Sequence, residues 1–165
     1  MAKLILMCGI AGSGKSTFAK MHMDKVLDIY VSRDDIRFSL LTEEDEYFAV
    51  EDEVWTQYVA AINAGLRNGR TVWADATHLN KKARLKLLHA IYPTPEHIEV
   101  IYIKVPLQTA LKQNAQREGL RRVPDEVIHR MWNSIEEPEF HEGKFSYDKI
   151  YIKQPDAIIR IKEEI

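Results

Sequence analysis

A single cysteine, Cys8, stands in 165 residues, so no disulfide framework can form within the chain. A thiol at the end of an apolar run reads as a buried, inert core group. No apolar stretch approaches the roughly 20 residues needed to cross a bilayer. The opening Met-Ala-Lys-Leu-Ile runs straight into a predicted strand with no cleavable leader, so the expectation is a cytoplasmic chain without membrane contact. Charge of one sign is also missing: 23 Lys and Arg against 25 Asp and Glu leave a net charge of −2. That excludes a globally basic binder of polyanions and confines any nucleic-acid contact to a local patch. The 6 histidines show no metal-ligand spacing. Repeats and low-complexity linkers are absent, and a 45% hydrophobic content excludes disorder. The length suits one domain over residues 1–165.

What is present begins at Gly9, where Gly-Ile-Ala-Gly-Ser-Gly-Lys-Ser follows directly on Leu4, Ile5, Leu6 and Met7. This is the strand, glycine loop and helix order of a P-loop. Gly9, Gly12 and Gly14 let the backbone N–H groups of the Gly9, Ala11, Gly12, Ser13, Gly14 and Thr17 region converge on phosphates. Lys15 is expected to bridge the β- and γ-phosphates and Ser16 to place its hydroxyl on Mg²⁺, which makes ATP or GTP the expected nucleotide.

Along the chain, Lys3–Cys8, Asp28–Ser32, Arg70–Asp75, His97–Val105 and Lys149–Lys153 read as strands. They alternate with predicted helices over Lys15–Lys25, Asp35–Leu41, Glu46–Asn68, Lys81–Ile91, Leu107–Arg117 and Asp125–Ile135, punctuated by Gly69, Gly119 and the Pro93 to Pro95 pair. Such alternation predicts an α/β fold with a mostly parallel central sheet of about five strands. The tail Ala157 to Ile161 is a further candidate strand at the sheet edge.

In open α/β sheets, ligands sit beyond the carboxyl ends of the strands. After the second strand come Ser32, Arg33, Asp34, Asp35, Ile36 and Arg37; after the third, Asp75, Ala76, Thr77, His78, Leu79 and Asn80; beyond the fourth, Arg117, Arg121 and Arg122. Phosphoryl transfer to an alcohol needs an orienter or base, a metal, and positive charge on the phosphates. Asp34 is the candidate base. The competing role for Asp34 or Asp35 is that of helix N-cap. Arg37, one turn on, shares the face of Asp34 and suits an acceptor phosphate. Glu43 to Glu46 with Glu51 to Glu53 read as a solvated acidic segment that repels polyanions. Lys81, Lys82, Arg84 and Lys86 form a basic stretch that counters it. Trp55, Tyr58, Ile62 and Trp73 read as core, and Trp132 is left between core and surface.

The Gly9–Thr17 loop, the Arg33-Asp34-Asp35-x-Arg37 element, Asp75-Ala76-Thr77 and the run from Arg117 to Pro124 together resemble the phage-type 5′-hydroxyl polynucleotide kinases. The resemblance extends from Met1 to about Tyr151. It implies a P-loop kinase-like three-layer fold with an arginine-bearing lid over about residues 117–135. It further implies ATP and Mg²⁺ held by Lys15 and Ser16, Asp34 activating a 5′-hydroxyl, Arg37 gripping the acceptor's 3′-phosphate, and Arg117 clamping donor phosphates. Arg121 and Arg122 follow as further lid contacts, and Asp75 and Thr77 as acceptor contacts. The chain departs from the pattern at His78, where the family carries asparagine, and at Glu118, an apparent insertion. No Asp-x-Asp-Gly-Thr phosphatase signature follows, so the expectation is a kinase module in nucleic-acid repair, with a separate ligase or phosphatase as candidate partner. Two alternatives stay open: a P-loop kinase for a small-molecule or aminoacyl-tRNA hydroxyl, and a nucleotide-dependent ATPase switch.

Overall fold

Strand β1 (Lys3–Cys8) lies in the middle of the sheet, and its sequence says why. Successive side chains of a strand point to opposite faces. Here both sets are apolar, so both faces must be covered. Leu4, Leu6 and Cys8 enter one core with Tyr58, Ile62, Leu87 and Leu88. Ile5 and Met7 enter the other with Phe18, Ala19, Ala110 and Ile128. Each fully buried leucine contributes about 1.5–3 kcal/mol by leaving water.

The computed structural model describes residues 1–156 and 159–164. The elements that follow β1 are α1 (Lys15–His22), β2 (Ile29–Ser32), α2 (Arg33–Leu40), α3 (Glu51–Arg67), β3 (Thr71–Asp75), α4 (Lys81–Ala90), β4 (His97–Ile103), α5 (Leu107–Ala115) and α6 (Asp125–Ser134). A small antiparallel hairpin, β5 (His141–Glu142) with β6 (Phe145–Ser146), precedes β7 (Lys149–Lys153) and β8 (Ile159–Ile161). The six-stranded sheet has the order β2-β3-β1-β4-β7-β8. Its first five members run parallel, and β8 pairs antiparallel with β7. Helices α3 and α4 cover one face, α1, α5 and α6 the other. The strand order reverses around β1, and the crevice lies at the carboxyl ends of β1, β2 and β3.

The fold matches the expected α/β class, with a sixth, edge strand added to the five expected. Ile159–Ile161 supplies that strand; residues 157 and 158 of the expected tail lie outside the described residues. Other differences have local causes. Helix α1 stops at His22 because Asp24 turns the chain, its Oδ1 accepting from the N–H groups of Val26 (2.8 Å) and Leu27 (2.9 Å). Helix α3 starts at Glu51, five residues later than predicted. Asp45 Oδ2 accepts from Thr42 N (2.8 Å) and Oγ1 (2.9 Å), which favours turns over helix there. The hairpin β5–β6 went unpredicted because its strands are two residues each, around Gly143 at φ +60°.

One interior feature reverses an expectation. Arg84, read as part of a basic surface stretch, is 1% exposed. Its guanidinium donates to Glu142 Oε1 (Nη2, 2.6 Å) and Oε2 (Nε, 2.9 Å), and Nη1 reaches His78 O and Glu136 O. Tyr147 Oη donates to the same carboxylate at 2.7 Å. The pair therefore ties α4 to the hairpin and lies away from the crevice. Trp55, Tyr58, Ile62 and Trp73 pack in the core as read, whereas Trp132 is exposed.

Candidate active site

The phosphate loop is fixed by backbone hydrogen bonds, one of them to the turn after β3. Gly9 N donates to Thr77 O (3.0 Å), Ser13 N to Ile10 O (3.2 Å) and Phe18 N to Gly14 O (3.0 Å). Gly12 has φ +80°, and a Cβ there would stand 2.4 Å from the carbonyl oxygen of Ala110 on α5. Only glycine lets loop and helix approach so closely. Lys15 is buried and donates from Nζ to Ile10 O at 2.9 Å. Burial lowers its pKa, opposed by the charges of Asp75 and Asp34.

Ser16 Oγ donates to Asp75 Oδ2 at 2.6 Å, and Tyr30 Oη donates to the same oxygen. Burial, then the Asp75 charge, raises the Tyr30 pKa, so the phenol stays protonated as a donor. The Ser16 hydroxyl and Asp75 carboxylate together make a hard oxygen pair, which fits a Mg²⁺ that also takes phosphate oxygens and water. Asp75 stands at the end of β3, the strand next to β1, against Ser16 of the phosphate loop. Among the described residues there is no cluster of three or more His, Cys, Asp and Glu side chains suited to a metal.

Across the crevice, α2 is capped by Ser32, whose Oγ accepts from Asp35 N at 3.1 Å. The cap falls to the serine, so neither aspartate is spent on it. Asp34 Oδ1 accepts from Tyr47 Oη (3.0 Å) and from Arg37 Nη1, while Oδ2 has no partner among the described residues. One oxygen is anchored and the other carries no partner among the described residues, on a side chain 43% exposed. Burial, followed by the Asp34 charge, raises the Tyr47 pKa, so its phenol remains a donor. Arg37 Nε donates to Glu51 Oε1 at 2.6 Å, and Arg33 Nη2 donates to Glu51 Oε2 at 2.9 Å. Burial opposes the Arg37 charge, but the hydrogen bond to Glu51 and the nearby acidic groups outweigh it and the pKa rises. Glu51, read as part of a solvated acidic segment, is therefore half-buried and doubly paired.

A cavity of about 330 Å³ joins these halves, lined by Lys15, Ser16, Asp34, Asp75, Arg117 and Arg130 among others. Ala11, Gly12 and Thr77 also face it. The three arginines of the 117–122 segment diverge. Arg117 lines this cavity and a neighbouring one of about 200 Å³. Arg121 forks onto Asp35 Oδ1 from Nη1 and Nη2, both at 3.2 Å, and lies over the Phe38 ring. Arg122 is exposed and lines neither cavity; Glu118 lines the smaller one.

His78 is buried at φ +40°, with Nδ1 2.6 Å from Met7 O and Nε2 3.3 Å from Tyr58 Oη. A carbonyl only accepts, so Nδ1 carries the proton and Nε2 accepts from Tyr58. Desolvation lowers the pKa of His78 to about 4, which keeps the ring neutral. It ties the turn after β3 to β1 and takes no place in the cavity.

Sequence reasoning missed Tyr47, Phe48, Glu51, Arg130, Met131 and Ser134, all on the cavity wall. For α6 the signal existed: Val127, Arg130, Met131 and Ser134 fall at i, i+3, i+4 and i+7, one helix face. Nothing local announces Glu51.

A family profile described as AAA domain (AAA_33) matches residues 4–138. The chain is 26% identical over 167 residues to an L-seryl-tRNA(Sec) kinase of Methanococcus maripaludis, across 98% of this chain and 60% of that protein, so it spans about three-fifths of that relative's length. Among solved structures, it is similar to a chain of the Pnkp1/Rnl/Hen1 RNA repair complex at 22% identity and TM-score 0.65, covering 81% of this chain and 43% of the other. Kti12 of Chaetomium thermophilum, solved with ADP-AlF3, is similar at 16% identity and TM-score 0.69, over 93% and 89% of the two chains. At those identities the two structures speak for the fold. The family match runs from the first strand to just past the last helix that lines the crevice, and the chain accordingly belongs to the AAA_33 family of AAA domains.

Proposed function

We propose that the chain transfers the γ-phosphoryl group of ATP to the 5′-hydroxyl end of DNA or RNA. The observation that carries this reading is Asp34: one carboxylate oxygen is anchored by Arg37 and Tyr47, the other has no partner among the described residues, and the residue lines a cavity shared with Lys15 and Ser16. Mg²⁺, held by Ser16 and Asp75, would neutralise charge on the donor phosphates. Lys15, Arg117 and Arg130 set positive charge against the negative charge of the transferring γ-phosphoryl and the leaving phosphates, while Asp34 orients the acceptor oxygen and takes its proton. Gly9 to Thr17 cradle the donor; Arg121 and Arg122 extend the lid, and Thr77 lines the floor. Residues 1–165 act as one domain, and a separate ligase or phosphatase is the partner such a module would serve. The RNA repair assembly among the structural neighbours supports that setting.

A second reading has its own support. Arg37 is already paired, and the curated relative is a seryl-tRNA kinase, so the hydroxyl of an aminoacyl-tRNA or a small molecule fits the same machinery. Transfer of ³²P from γ-labelled ATP with Mg²⁺ to matched DNA and RNA strands carrying a 5′-hydroxyl or a 5′-phosphate separates the two. Label on the 5′-hydroxyl strands alone supports the first. Label on seryl-tRNA, with none on the strands, replaces it with the second.

A further inference from the structure

The hydroxyl of Ser16 has one proton to give and two lone pairs. Its proton goes to Asp75 Oδ2, so both lone pairs stay available to a cation. That arrangement lasts only while the carboxylate keeps its orientation. Asp75 is buried, and its Oδ1 has no partner among the described residues, so the hold comes from the Oδ2 side. Ser16 and Tyr30 are the two donors there, and only Tyr30 stands outside the phosphate loop. The sheet explains how it reaches. Tyr30 lies on β2 two positions before Ser32, which pairs with Asp75 of β3, and side chains two apart share a face. Its ring packs against the core that α1 covers, and Lys20, one turn after Ser16 on α1, sets Nζ over the ring at 5.2 Å from its centroid. A ring held by the core and by Lys20 fixes where its hydroxyl points. Groups that bind metals are oriented by partners behind them, and losing such a partner costs about 10–100-fold in metal affinity.

We infer that Tyr30 is a positioning residue for the metal: through Asp75 it holds the Ser16 hydroxyl ready for Mg²⁺, while itself touching neither nucleotide nor acceptor. The inference rests on the reading of the crevice as a Mg·ATP site and on nothing about the acceptor. A neutral phenol orients the carboxylate without cancelling the negative charge that draws a cation, which an ammonium at the same place would do. Removing the hydroxyl leaves Ser16 as the lone donor to Asp75, and the carboxylate is then free to turn away from the orientation that Ser16 needs. The effect is confined to the metal. Lys15 and the backbone N–H groups of the loop bind phosphates without passing through Asp75, so nucleotide affinity in the absence of the cation stays as it is.

The test reads binding, so it depends on neither turnover nor acceptor. A non-hydrolysable ATP analogue is titrated calorimetrically into the wild type, Tyr30→Phe, Asp75→Asn and Tyr30→Phe/Asp75→Asn, once with excess EDTA and once across a series of Mg²⁺ concentrations. In the wild type, Mg²⁺ is expected to tighten binding of the analogue. Tyr30→Phe should need about tenfold more Mg²⁺ or beyond for half of that gain, with affinity in EDTA within about twofold of wild type. The double variant should be no weaker than Asp75→Asn, because Tyr30 acts through Asp75. Equal Mg²⁺ requirements in wild type and Tyr30→Phe overturn the inference. So does an equal loss with and without Mg²⁺, which is what a merely structural tyrosine gives, and so does a double variant weaker than Asp75→Asn. A wild type indifferent to Mg²⁺ removes the Mg·ATP reading and the inference with it, a result distinct from a Mg²⁺-dependent wild type that Tyr30→Phe matches. Should Tyr30→Phe not fold, 3-fluorotyrosine incorporated at Tyr30 keeps the hydroxyl and reads the same contact. Its ¹⁹F signal in the analogue complex is expected to shift on adding Mg²⁺, and a signal that does not move overturns the inference.

Discussion

On the proposed function, single side chains divide the crevice into a donor half and an acceptor half, and substitutions are expected to respect that division. Asp34→Asn keeps a hydrogen-bonding group on Tyr47 while removing the base, so turnover should fall by roughly two orders of magnitude or more, with ATP affinity nearly unchanged in an equilibrium titration. Retained turnover would remove Asp34 from its role. Lys15→Ala should weaken both nucleotide binding and turnover whatever the acceptor. His78 gives a pH signature. Its folded pKa, about 4, lies below the value near 6.5 of an exposed histidine. The unfolded chain therefore binds the extra proton between those values, and the stabilisation present above pH 6.5 is lost as pH falls toward 4. At pH 5 this amounts to about 2 kcal/mol from one group. Urea unfolding at pH 7 and pH 5 should show a steeper loss in the wild type than in His78→Asn, a residue that tolerates the positive φ. Equal losses would mean that His78 is protonated in the folded chain.

At the level of elements, the comparison between sequence and structure is uneven for physical reasons. Strand β1 and the glycine loop were legible because apolar runs and positive-φ glycines are local signals. The start of α2 was legible as a cap, but the capping residue was not. Ser32 takes the backbone N–H and releases Asp34, a choice that the sequence Ser-Arg-Asp-Asp leaves open. Glu51 and Arg84 were misread because burial of a charge depends on partners 14 and 58 residues away. Two ion pairs test that distinction. Arg84→Ala strands the Glu142 carboxylate in the interior and should destabilise by about 3–5 kcal/mol in chemical unfolding. Arg84→Met combined with Glu142→Leu should recover much of this. Asp35→Ala breaks an exposed pair with Arg121, and its effect on stability should stay within about 1 kcal/mol. An equally large loss at both pairs would contradict the burial argument.

Considered whole, the molecule is two apolar cores pressed against opposite faces of one sheet, with the phosphate loop leaving the strand that both cores share. Helix α2, the turn after β3, and the segment carrying Arg117 reach the same crevice from separate connections of that sheet. Cys8 ends the shared strand, 1% exposed, with its thiol pushed up to about 12 chiefly by burial. Because the reactive species is the thiolate, an alkylating reagent can reach this sulfur only when the central strand parts from its neighbours. The chain thereby carries a built-in clock for its own opening: the labelling rate of one thiol counts excursions of the whole sheet, and nucleotide binding at the adjoining loop should slow it.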